Sequence, residues 1–187
     1  MAQHKEAFKK MHGIEYSSPM DVLHKNKNEK GLTFWGIYEV AHEHWKGWEY
    51  IYLMLKKHHG DMKKASIACV ANDNLVETVE DFYYDKFWLP LKLDMIDSQK
   101  IANEMYFFYM NTGNKSKTIK MAQLIVGATP DGFIGIETIT KLNNFDEKLF
   151  DRAYDLKEME YHARLVQANP SRYLLNLVGW IRRDVRI

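Results

Sequence analysis

The sequence has one cysteine, four prolines, ten glycines and no long apolar run. A single thiol excludes any disulfide within the chain, so stability rests on packing; Cys69, in the apolar stretch ASIACVA, reads as a buried, unreactive group. No segment approaches the roughly 20 apolar residues of a membrane span. The opening stretch MAQHKEAFKKMHG is charged and amphipathic and lacks the apolar centre of a secretory signal. The reading is therefore synthesis in the cytoplasm, without stable membrane insertion and with access to any external substrate after release or by non-classical export. Charge of either sign is not in excess: 26 lysines and arginines meet 25 aspartates and glutamates. The whole molecule thus exerts no strong pull on nucleic acid or anionic lipid.

What is present is helical periodicity. Strict alternation is hard to find beyond a few residues, so the expected fold class is all-α, a single compact domain with two lobes. The 187 residues suffice for one substantial core. The spacing predicts a first helix over Ala2 to His12, with Ala7, Phe8 and Met11 on one face and Gly13 as its stop. Tyr16 to Thr33 is polar and turn-rich and reads as an irregular loop or small hairpin. Helices are expected over 35–44, 46–58, 60–72 with Asp61 as N-cap, 74–87, 98–110, 115–125, 136–142 and 149–167. GATPDGFIG, from Gly127, is a loop, and Ser171 after Pro170 is placed as the cap of a last helix.

Several stretches, in order, carry a family resemblance. A helix leads into Glu15; NEKGLTFWGI follows with Gly31, Thr33, Trp35, Gly36 and Ile37; FYYDKFW supplies Tyr84 and Trp88. MNTG with Asn111 and Gly113, a helix with Gln123, DGFIGIETI from Asp131 and NPSRYLLNLVGWIRR with Gly179 and Trp180 complete the series. The chain resembles the lysozyme-like N-acetylmuramidases of glycoside hydrolase family 108, also described as secretion activators and phage endolysins. The family has two glycines where this chain has Tyr16 and Ser17, and an aspartate in the loop where it has Asn28.

The resemblance implies a peptidoglycan hydrolase, lysozyme-type, cleaving the β-1,4 bond between N-acetylmuramic acid and N-acetylglucosamine, with residues 1–90 as the catalytic region and 91–187 as a peptidoglycan-binding region. It implies Glu15 as general acid, because the leaving-group oxygen must be protonated as positive charge builds on the sugar. Among Ile14, Tyr16 and Trp35 such a glutamate would be partly desolvated, which favours its protonated form. Thr33 would hold a water through its hydroxyl or cap a helix beginning near Phe34. Asp21 and Glu29 share the loop and read as solvated. A second catalytic carboxylate is not assigned.

Sugar rings stack on aromatic faces, and Tyr16 and Trp35 are the aromatics placed in the cleft, with Gly36 and Tyr38 beside them. Asn111 would bind an N-acetyl group or cap its helix. No cofactor is implied. His42 with His44 and His58 with His59 lack the i, i+4 spacing of paired metal ligands. The expected partner is the glycan strand of bacterial peptidoglycan, bound by a monomer. The competing readings are an inactive peptidoglycan-binding protein and a secretion-related helical adaptor.

Overall fold

The structure is a computed structural model describing residues 1–16 and 18–185. Ser17, one of the two residues standing where the family has glycines, lies outside the described residues. The fold is mainly α. Its helices are α1 (His4–Glu15), α2 (Gly47–Lys57), α3 (Met62–Val70), α4 (Asp73–Tyr83), α5 (Gln99–Thr112), α6 (Lys115–Val126), α7 (Ile136–Asn143), α8 (Glu147–Ala168), α9 (Pro170–Tyr173) and α10 (Leu177–Asp184). One small antiparallel sheet joins β1 (Leu23–His24), β2 (Thr33–Phe34) and β3 (Ile37–Tyr38) in that order. No helix among the described residues is long and apolar enough to cross a membrane.

Helix starts follow the cap chemistry written in the sequence. Asp61 accepts from the Lys64 backbone N–H at 3.1 Å, and Ser98 accepts from that of Ile101 at 3.3 Å. Asn169, rather than Ser171, caps the helix at Pro170, accepting from the Arg172 N–H at 3.2 Å while the proline occupies the first turn, where its missing N–H costs nothing. Gly13 does not stop α1. Its φ is not positive, and the helix runs on through Glu15, with the Tyr16 N–H donating to the His12 carbonyl at 3.1 Å.

The main departure from periodicity is the segment 35–44, which is a hairpin and a 3-10 turn instead of a helix. Phe34 pairs with Ile37 and Thr33 with Tyr38, leaving Trp35 and Gly36 as a two-residue loop. Both have positive φ, 47° and 78°, the backbone of a type I′ turn whose twist matches antiparallel strands. Beyond it the Glu39 N–H donates to the Leu32 carbonyl at 2.9 Å, and the Leu32 N–H donates to Glu39 Oε2 at 2.8 Å. Tyr52 of α2 donates its phenol to the other oxygen of Glu39. One carboxylate thus staples the hairpin.

Contacts divide the chain into two compact units, residues 1–11 with 84–187, and residues 12–83. In the 12–83 unit Leu23, Phe34 and Ile37 of the sheet are buried, as are Ile51, Ala65, Cys69 and Val79 of the helices. The β1 strand is tied to α3, the Leu23 N–H donating to Ser66 Oγ at 3.0 Å. In the other unit the core is aromatic and aliphatic: Trp88, Ile101, Met105, Tyr106, Phe107, Phe150 and Tyr154 are fully buried. Trp88 Nε1 and the Tyr84 phenol each donate at 2.8 Å to a different oxygen of Asp94, so the tyrosine–tryptophan patch serves this unit's packing.

Candidate active site

Glu15 is the last residue of α1, not the residue after it, and its side chain is exposed. The expected apolar surround of this carboxyl is therefore not furnished by the folded chain alone. Two phenols face it closely enough to sense its charge. Burial first, and the Glu15 carboxylate second, push the Tyr16 phenol up to about 12. Tyr83, at the end of α4, is raised by burial and then by Tyr16 and Glu15.

The hairpin tip lies at the same place. Tyr83 Oη would be 2.8 Å and Tyr16 Oη 3.6 Å from a Cβ built on Gly36. Tyr83 donates to the Trp35 carbonyl at 2.6 Å, and the Trp35 N–H donates to the Val22 carbonyl at 3.1 Å. The Trp35 ring stacks on His12 of α1 at 4.4 Å and 18°. Those contacts offset the roughly 1–2 kcal/mol that a left-handed backbone costs a residue with a Cβ. His12, Tyr16, Pro19, Val22, Trp35 and Val70 line a recess of about 140 Å³. Trp35 is 6% exposed and stacked on His12, so little of its ring is open to a ligand.

Thr33 is buried in β2 and caps no helix. Its hydroxyl donates, over a long 3.4 Å, to Oε2 of Glu29. Glu29 is half-buried, whereas Asp21 is exposed, so the two loop acids read alike from sequence differ in place. Tyr38, half-buried in β3, is directly opposite Thr33. The structure thus brings Glu15, Tyr16, Trp35 and Gly36 together, and Thr33 with Tyr38 on the adjoining strands. Asn111 belongs to the other unit, exposed in the last turn of α5, where Gly113 and not Asn111 is the C-cap.

Sequence reasoning missed Tyr83, whose signal is only a tyrosine at a helix end. It also missed an aromatic recess of about 410 Å³ lined by Val40, His42, Glu43, His44, Trp45 and Phe82. His42 meets Phe82 edge-on at 4.9 Å, and Trp45 meets Trp48 edge-on at 5.2 Å. Trp45 is half-buried, leaving part of its ring available to a ligand.

The segment DGFIG is preorganised from beneath. Gln123, buried in α6, donates from Nε2 to Asp131 Oδ1 at 2.8 Å, the Phe133 carbonyl at 3.0 Å and Thr138 Oγ1 at 3.1 Å, while accepting from the Gly132 N–H at 2.9 Å. Phe133 and Ile136 are left strongly exposed at its surface.

No known family model matches the chain, and no curated protein matches it in sequence. Among solved structures it is similar to SagA of Brucella abortus, with a TM-score of 0.56 and 15% identity over 98% of this chain and 95% of that one. That likeness is one of fold.

Proposed function

We propose that this protein is a peptidoglycan muramidase whose general acid is Glu15. The observation that carries the reading is the meeting of one carboxylate, at the end of α1, with a hairpin tip and two phenols. The ordered motifs and the distant structural relationship to Brucella abortus SagA support it. Glu15 protonates the glycosidic oxygen as the bond to the sugar's anomeric carbon breaks, and water adds to that carbon. Because Glu15 is exposed, its desolvation comes from the bound glycan strand covering it. Glu29, which accepts from Thr33, is the second carboxylate in this scheme, taking the proton of the attacking water or stabilising the sugar cation.

The test is digestion of purified cell walls with analysis of the products by mass spectrometry. Muropeptides ending in reducing N-acetylmuramic acid are expected, and Glu15→Gln should abolish them with an unchanged circular dichroism spectrum. Full activity in that variant sinks the assignment. The exposure of Glu15 favours a second reading, a peptidoglycan-binding protein without turnover. A zymogram separates the two: wall pull-down without a cleared band supports the binder.

A further inference from the structure

The unit that lacks Glu15 contains an unusual concentration of buried charge. On α8, Asp151, Asp155, Glu158 and His162 recur at the spacing of one helix face, where a core-facing helix ordinarily carries apolar side chains. Glu104 of α5 faces that stripe, fully buried, with neither carboxylate oxygen accepting a hydrogen bond. Glu158, only 1% exposed, also leaves Oε2 without a partner, and its charge acts directly on Glu104. Asp184 of α10 lies 3.2 Å from His162 Nε2.

Among the described residues, five carboxyl groups therefore share this region with two permanent cations, Lys100, 3.0 Å from Asp151, and Arg183, which acts on Glu158. A buried, unpaired carboxylate is strongly disfavoured, so the excess must be neutralised. One oxygen each from Glu104, Asp151 and Asp155 lie within 4.8 Å of one another. Oxygens around a calcium ion sit about 2.3–2.6 Å from it, so opposite ligands are separated by about twice that distance. Magnesium, at about 2.0–2.1 Å, draws its ligands closer and tolerates less spread.

We propose that Glu104, Asp151 and Asp155 form a site for a hard divalent cation such as calcium, which supplies the positive charge this buried cluster lacks. Pairing with Lys100 does not exhaust Asp151, since a carboxylate offers about four acceptor positions. Asp151 and Asp155 are half-buried and open a route from solvent. Without a cation, burial and then the neighbouring acids raise Glu104 well above the carboxylate range, Glu158 to about 9 and Asp155 to about 6. A bound divalent ion opposes the repulsive part of each shift.

The experiment uses the full chain, stripped with EDTA and returned to neutral buffer. Calcium chloride titrated calorimetrically should bind one ion per chain and raise the melting temperature by several degrees at a hundredfold excess over Kd. Terbium should luminesce on excitation of tyrosine, because Tyr154 is buried against Glu104 and Glu158. Asp155→Asn, a near-isosteric change at a half-buried position, should weaken calcium binding at least tenfold. Glu104→Gln should do the same, and a failure of that variant to fold leaves the result of Asp155→Asn to decide. Absence of both heat and melting shift overturns the site. So does calcium binding that Asp155→Asn leaves unchanged, or stability that rises on acidification regardless of calcium, which would assign neutralisation to protons.

Discussion

The phenol of Tyr83 holds the carbonyl of Trp35 at 2.6 Å, linking the end of α4 to the tip of the β2–β3 hairpin. The bond is buried and spans 48 residues of sequence. It fixes a turn that would otherwise rest on one tryptophan in a left-handed conformation.

Tyr83→Phe leaves the Trp35 carbonyl without its donor and should cost about 1–3 kcal/mol, seen as a fall of several degrees in thermal melts. Gly36→Ala should be worse, because the new Cβ meets Tyr83 Oη at 2.8 Å and the backbone φ is 78°. In the Tyr83→Phe background the same alanine should cost less, since the clash is with the oxygen. A double-mutant cycle with no coupling between the two sites would show that they do not touch.

Thr33→Val removes the hydroxyl that donates to Glu29 Oε2 while keeping the β-branched shape of the strand. If Glu29 takes part in turnover, kcat on soluble muropeptide chains should fall about ten- to a hundredfold with little change in KM. An unchanged kcat would make the bond a structural detail of the loop.

Burial pushes the imidazoles of His4 and His12 down to about 4, against a weak opposing pull of Asp94 on His4. Their protons are therefore taken up first by the unfolded chain. The stability they contribute is complete above about pH 6.5 and is lost as pH falls toward 4. Imidazole proton shifts followed by NMR should place both transitions well below the ordinary histidine range, and His4→Gln should flatten part of the acid limb of the stability profile.

Gln123→Ala deprives Asp131, the Phe133 carbonyl, Thr138 and the Gly132 N–H of a common partner. A loss of about 2–4 kcal/mol is expected for a buried amide that serves four groups, two of them buried with it. Hydrogen exchange should show the 129–135 loop losing protection before the helices on either side.

The sequence made the helices readable because their caps are local: Asp61 and Ser98 lie three residues from the N–H groups they accept. Gly127 closes α6 in the left-handed conformation that glycine favours. The hairpin was hidden for two reasons. Its strands are two residues each, too short for alternation to register, and its turn is Trp–Gly where Asn–Gly or Asp–Gly would have announced it. Glu15 is singled out by its motif, but its exposure is not legible there, since that depends on what α1 packs against. The acids of α8 were visible as letters, yet only packing against α5 shows that they turn inward. Glu29 and Tyr83 depend likewise on pairings that no local window contains.

Cys69 is a natural probe of the fold as well as part of its core. It is fully buried in α3, and burial raises its thiol to about 11, so a thiol reagent in neutral solution meets almost no accessible thiolate while the fold is intact. With a single such group in the chain, the rate at which an excess of disulfide reagent labels it becomes a clock for the opening of α3. Each variant above can be timed on that clock without adding a probe.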